Sequence, residues 1–289
     1  MGILISIIAI NTEITKKNFD LYNQTKFLHQ NNILISNINN LLNEKANLVT
    51  SKEILDILLG QKIDFQDEKS GIKMSVSMKS NGGKININNL LIKTIQDHKT
   101  ITKYNQYIYD IIAQLLYDEN VQDTEYFISL LADSIDSDLD ERASYSEIAN
   151  EDLRFENGAI FSKAHLSAIK DYYIKQNEDT SILKVNLTKY FKFNDGQLDI
   201  NHIDINLIAK ITNLSVEDVQ DILDNNENIT NLSDVFGIEN NQTFNSLNVQ
   251  TIAKQIICDL DILVYEKQSK AVFRYDFERK VTSDVKIYY

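Results

Sequence analysis

Gly71-Ile-Lys-Met-Ser-Val-Ser-Met-Lys79, then Asn81-Gly-Gly83, then Lys84-Ile-Asn-Ile-Asn88 is the stretch on which the architecture depends. Ile72, Met74, Val76 and Met78 alternate with Lys73, Ser75, Ser77 and Lys79, a period of two that gives a strand one apolar and one polar face. Asn81-Gly-Gly83 supplies turn residues, so the pattern predicts a half-buried hairpin into 84–88. The end of the chain shows strand periodicity again in three runs, 254–265, 271–278 and 285–289, the simplest arrangement of which is an antiparallel meander.

Between these two strand regions the period becomes helical. Residues 101–116, 124–134, 163–176 and 185–190 are predicted helices, and 204–210 with 215–223 form a helix pair in which Ser215 is a natural N-cap with Asp218 three positions later. Before them, 54–59 predicts a short helix ended by Gly60. Residues 11–46 carry Phe19, Tyr22, Phe27, Ile33, Leu34, Ile38, Leu41 and Leu42 at mostly helical spacing, with no Gly or Pro to interrupt them. The expected fold is therefore α+β. A long N-terminal helix (1–46) packs on a small split antiparallel sheet (47–88 and 241–289), and a large α-helical domain (89–240) is inserted between the halves of the sheet.

Gly2 to Ile10 is almost continuously apolar, yet far shorter than the roughly 20 residues that cross a bilayer. It has no small-residue cleavage site, so it reads as the remnant of a membrane anchor rather than a secretory signal. The 289 residues are 43% hydrophobic and 25% charged, enough for one large or two modest cores. Lys+Arg 29 against Asp+Glu 42 gives a net charge of -13, which repels nucleic acid and anionic membrane surfaces and attracts cations. One cysteine, Cys258, excludes an internal disulfide and leaves the redox compartment open.

The densest chemistry lies in Leu131-Ala-Asp-Ser-Ile-Asp-Ser-Asp-Leu-Asp-Glu-Arg-Ala-Ser-Tyr-Ser-Glu147. Asp136, Asp138 and Asp140 alternate, Glu141 follows, and Glu147 closes the one, three, five and twelve spacing of a calcium loop, with Asp133 just upstream. The sixth position of that template asks for Gly, and Glu141 stands there, so the loop is not an EF-hand. Two readings follow: a solvated acidic turn, or an oxygen-only site for calcium built from Asp133, Asp136, Asp138, Asp140, Glu141 and Glu147. The four histidines, His29, His98, His165 and His202, lack the spacing of a zinc site. No G-x-S-x-G, Walker loop or G-x-G-x-x-G is present, and no nucleophile, base and oxyanion donor occur together, so no enzymatic activity and no small-molecule substrate are expected.

Gly83-Lys-Ile-Asn-Ile-Asn-Asn-Leu90 resembles the G-x-[IF]-N-[IL]-N-x-L segment of the type II secretion minor pseudopilin K family, also called general secretion pathway protein K. Ala132-Asp-Ser-Ile-Asp-Ser-Asp138 is similar to that family's D-W-I-D-x-D segment, with Ser134 in place of Trp. Tyr145 and Asn157-Gly-Ala-Ile-Phe-Ser-Lys-Ala-His-Leu166 resemble a later Tyr and an N-x-x-[LF]-x-S-x-x-E-L stretch, with His165 where an acid is usual. Leu198-Asp-Ile-Asn-His-Ile203 and the helix pair that follows stand where the family has I-N-x-N-T-A and its own pair.

The resemblance runs from about Gly71 to the C-terminus and rests on the order of the segments. It implies a pseudopilin body with an inserted helical domain at the tip of a periplasmic pseudopilus, beside other minor pseudopilins in a tip complex and held to the inner membrane through the N-terminal helix. It also implies calcium in the helical domain. A family precursor has a basic leader and a full transmembrane helix, whereas this chain opens at Gly2-Ile-Leu as though inside that helix. The helix pair also resembles a helix-hairpin-helix, which suggests as an alternative a pilin-like component of a type IV pilus or DNA-uptake machine. Its joint, Thr212-Asn-Leu214, lacks the Gly-rich amides that hold phosphate, and Glu217 and Asp218 repel it, so it reads as a packing unit and no nucleic-acid partner is expected.

Overall fold

In the computed structural model, residues 25, 28–67, 72–96, 99–199, 201–226, 232–236, 247, 249–250, 254–264 and 267–288 are described. The anchor-like segment Gly2–Ile10 lies outside them. The chain forms two compact units, one of Met1–Lys79 with Lys254–Tyr289 and the other of Ser80–Ala253. Among the described residues no helix is long and apolar enough to cross a membrane.

In the first unit, helix α1 (residues 28–45) buries Asn31, Ile35, Ile38 and Leu42, a stripe with steps of three and four that continues through Ala46 and Val49. Helix α2 (Lys52–Gly60) follows, with Ser51 at its N-cap position and Leu55 fully buried. Strand β1 (Ile63–Asp67) pairs antiparallel with β2 (Ile72–Ser80), from Ile63 opposite Val76 to Asp67 opposite Ile72. The alternation read from the sequence holds in β2, where Met74, Val76 and Met78 are buried.

The predicted hairpin after β2 does not form. Neither Gly82 nor Gly83 takes a positive φ, and strand β3 (Ile85–Asn86) pairs instead, in parallel, with residues 191–192. The reason is close packing at Gly82: a Cβ there would stand 2.4 Å from the Asp199 Cβ and 2.7 Å from its backbone N. Asp199 N–H donates to the Gly82 carbonyl at 3.0 Å, and the Asn81 amide donates to the Asp195 carbonyl at 3.1 Å. This glycine is therefore used for approach between backbones rather than for a turn.

The second unit opens with a hairpin that the sequence reading missed, β4 (Leu91–Gln96) antiparallel to β5 (Lys99–Tyr104). Ile92, Thr94, Ile95, Thr100, Ile101 and Thr102 are β-branched, and that preference outweighs the helical spacing read from Ile101 onward. Helix α3 (Gln106–Asp118) thus begins later than predicted. Helices α4 (Thr124–Ile135), the short α5 (Ile148–Glu151) and α6 (Lys163–Asn177) follow. The predicted helix at 185–190 is only a 3-10 turn over Leu187–Lys189. β3 pairs with β6 (Phe191–Lys192), and β7 (Leu198–Asp199) pairs in parallel with β8 (Val249–Gln250) after helices α7 (Ile205–Thr212), α8 (Val216–Asp224) and α9 (Leu232–Phe236).

The core of this unit gathers α3, α4 and α6 around Phe127 and Tyr173, whose rings meet edge to face at 5.5 Å. A satellite cluster of Ile208, Ala209, Val219, Leu232 and Phe236 joins α7, α8 and α9, and Ser215 caps α8 by accepting from Asp218 N–H at 3.0 Å.

Strands β9 (Gln255–Val264), β10 (Lys267–Asp276) and β11 (Val281–Tyr288) return to the first unit as the predicted antiparallel meander. Strand β9 lies beside β2, which gives a five-stranded sheet in the order β1-β2-β9-β10-β11. Its covered face carries Ile256, Cys258, Leu260 and Ile262 on β9 and Ser269, Ala271, Phe273 and Tyr275 on β10. Burial pushes the Cys258 thiol up to about 12, with a smaller push from Asp259. Polar side chains register α1 on this face: Asn31 donates to Ser269 Oγ at 3.1 Å, while Asn43 Oδ1 accepts from Tyr275 and Asn39 Oδ1 from Thr282, both at 2.6 Å. The fold is α+β, a helix on a small antiparallel sheet whose strands come from both ends of the chain.

Candidate metal centre

Helix α4 delivers the acidic loop. Asp123 caps its start by accepting from Tyr126 N–H, and eight buried residues, Phe127, Ile128 and Leu130 through Ile135 with only Ser129 half-buried among them, draw its last turn into the core. Asp133 is carried inward with that turn and has no exposed surface. A buried carboxylate needs partners. Asp133 receives three: the Arg142 guanidinium, the Arg142 backbone N–H at 3.1 Å and the Ser146 hydroxyl.

Arg142 also reaches Asp136, which is 9% exposed, so one guanidinium bridges two carboxylates. Glu147, fully buried, caps α5: its Oε1 accepts from Ala149 N–H at 3.2 Å and from the Asn157 amide at 2.6 Å. The remaining members of the run face water. Asp138, Asp140 and Glu141 are exposed and shape the loop, Asp138 accepting from Asp140 N–H at 3.1 Å and Glu141 from Tyr145 N–H at 3.0 Å. Tyr145 itself sits at φ 64.

The six sequence-predicted side chains are thus divided. Asp133, Asp136 and Glu147 lie inside, and Asp138, Asp140 and Glu141 lie outside. Among the described residues no group of three or more His, Cys, Asp or Glu side chains is placed to share a metal ion.

The inner cluster nevertheless holds oxygens without partners among the described residues: Asp136 Oδ1, Glu147 Oε2 and Asn157 Oδ1. The Arg142 guanidinium reaches Asp133 and Asp136, and no ion pair joins it to Glu147 among the described residues. Burial raises the pKa of Asp136, against the pull of Arg142, and burial raises that of Glu147, with the nearby Asp133 and Asp136 adding to it. An all-oxygen set with residual buried negative charge fits a hard cation such as calcium and no thiophilic metal. The residues that fit are Asp136, Glu147 and Asn157, since Asp133 is already occupied by Arg142 and Ser146.

Arg142 and Asn157 were not read from the sequence as site residues. The signal for Arg142 was a lone base inside an acidic run. For Asn157 it was the adjacent Gly158, which takes φ +106 and donates its N–H to the Ser134 carbonyl at 3.2 Å, tying this loop to the end of α4. The histidines are dispersed: His165 packs between Phe155 at 4.6 Å and Phe161 at 5.6 Å, where burial lowers its pKa, and His202 lies 3.0 Å from Asp199.

No protein-family model matches the chain, and no curated protein sequence matches it. Among solved structures the chain is similar to a chain of the crystal structure of the GspK-GspI-GspJ complex from the enterotoxigenic Escherichia coli type 2 secretion system. The TM-score is 0.58 at 12% identity, over 92% of this chain and 98% of that one. At this identity the likeness is one of fold alone.

Proposed function

We propose that this chain is a non-enzymatic minor pseudopilin of a type II secretion system, which assembles with other minor pseudopilins at the tip of a pseudopilus. The observation that carries this reading is the shared arrangement over 92% of the chain: a helix on a sheet split in sequence by a large, mainly helical unit. The segment order of the sequence resemblance supports the same reading, as does the presence of GspI and GspJ in the similar complex. In this role the work is done by surfaces. The native protein is held in the inner membrane by its N-terminal segment and projects into the periplasm.

The test is co-expression with the other minor pseudopilins of the same genome. A stable complex on size exclusion and loss of secretion on deletion of the gene are the expected results. A chain that stays monomeric with every such partner overturns the reading.

Calcium belongs to this proposal as a stabiliser of the α4–α5 loop, held by Asp136, Glu147 and Asn157. An ion that binds only the folded state stabilises it by mass action, about 2.7 kcal/mol at a hundred times its Kd. Calorimetry of the intact protein should show a calcium-dependent rise in Tm that Glu147→Gln with Asp136→Asn abolishes. A flat response at millimolar calcium removes the ion from the proposal and leaves the assembly reading standing.

A further inference from the structure

Lys163, Lys170 and Lys184 line one concave pocket of the Ser80–Ala253 unit, with a volume of about 420 Å³. Helix α6 presents Lys163, Leu166, Ser167 and Lys170 at i, i+3, i+4 and i+7, one face of a helix, and the turn 183–188 forms the opposite wall. No carboxylate lines it, and none pairs with these three lysines among the described residues. The Lys170 ammonium donates to the Val185 carbonyl at 2.6 Å, and Lys84 brings a fourth ammonium to the same turn by donating to the Thr188 carbonyl at 2.6 Å.

This convergence is electrostatically unfavourable in the isolated chain. Burial lowers the Lys170 pKa and the charge of Lys163 lowers it further. Lys163 occupies the first turn of α6, which has no acidic residue, so it faces the positive end of the helix dipole. A chain of net charge -13 has carboxylates to spare, yet places none here.

We propose that this pocket binds a carboxylate-bearing segment of a protein partner, with Lys163, Lys170 and Lys184 as its cationic contacts and Ser167 and Asn186 as hydrogen-bonding groups. The rim favours a peptide over a small anion. Leu183 is 59% exposed beside the lysines, so an acidic residue flanked by an apolar one finds both partners. The inference stands on the lysines alone and does not need the assembly reading to be right.

The experiment is fluorescence anisotropy with the full chain in low salt, using a fluorescein-labelled Glu-Leu-Asp-Glu peptide and its neutral counterpart Gln-Leu-Asn-Gln. The acidic peptide should bind and the neutral one should not, and about 0.5 M salt should weaken binding because the contacts are screened. Lys163→Gln with Lys184→Gln, both exposed positions, should weaken binding at least about tenfold with an unchanged melting curve, a loss of about 1.4 kcal/mol. Lys170→Met should do the same. Absence of binding, equal binding of both peptides, or unchanged affinity in the double variant overturns the proposal. Inorganic phosphate binding more tightly than the peptide overturns it too, by making the pocket a small-anion site.

Discussion

Replacing Asp179 should be among the most damaging single changes in the Ser80–Ala253 unit, although the residue lies in a loop after α6. Its carboxylate, 5% exposed, accepts from Gln122 N–H at 2.9 Å, from Ser181 N–H at 2.9 Å and from the Tyr173 hydroxyl at 3.0 Å. Tyr173 is fully buried and its hydroxyl accepts in turn from Asp123 N–H at 3.1 Å, so Asp179 ties the start of α4, the core of α6 and the following turn together. Asp179→Ala strands two backbone donors and one hydroxyl. A buried donor left without a partner costs about 1–3 kcal/mol, and with some relief from entering water the sum is about 3–5 kcal/mol.

The same contacts have a pH signature. Burial pushes the Asp179 carboxyl up, but the hydrogen bonds from Gln122, Ser181 and Tyr173 outweigh it and hold the pKa at about 2, against an ordinary 3.8. The folded pKa is depressed, so the stabilisation is fully present above pH 4 to 5 and is lost as pH falls toward about 2. The difference corresponds to about 1–2 kcal/mol once solvent screening is allowed for. Urea titrations followed by circular dichroism at pH 7 and pH 2.5 measure both effects. Asp179→Asn should be less stable than wild type at pH 7, with the gap closing by about 1–2 kcal/mol at pH 2.5. An Asp179→Ala variant within 0.5 kcal/mol of wild type, about the size of an ordinary surface substitution, refutes the reasoning.

Arg142→Met leaves Asp133 and Asp136 buried without their counter-charge and should cost about 3–5 kcal/mol at pH 7, less at pH 4 because burial already raises the Asp136 pKa and favours its protonation; denaturant titration at the two pH values checks it. Gly82→Ala forces a Cβ to within 2.4 Å of Asp199 and should cost about 2–3 kcal/mol by backbone displacement, read as a lowered Tm. Ser215→Ala removes the α8 cap and should cost about 1 kcal/mol, with faster amide exchange confined to the first turn of that helix.

Much of the fold was legible in the chain because burial on one face leaves a period. The alternation in Ile72–Met78 and in β9 and β10 named strands, the spacing in α4 and α6 named helices, and Ser215 with Asp218 located a helix start. Periodicity reports which face is covered but not what covers it. It therefore predicted a hairpin after β2, where close approach of Gly82 to Asp199 sends the chain into another unit and pairs Ile85 with Phe191. It missed β1, whose five residues are too few to establish a period, and it missed the β4–β5 hairpin, where β-branched residues also fit a helical spacing.

The candidate site divides in the same way. The sequence by itself determined that carboxylates crowd residues 133–147. Only the tertiary structure decided which of them lose their water. The last turn of α4 enters the core and takes Asp133 with it, Arg142 folds back over Asp133 and Asp136, and Asn157 arrives from a loop beyond α5 to meet Glu147. Desolvation is a property of neighbours brought from elsewhere in the chain. For that reason the same six acids, indistinguishable in sequence, became three buried groups seeking partners and three that need none.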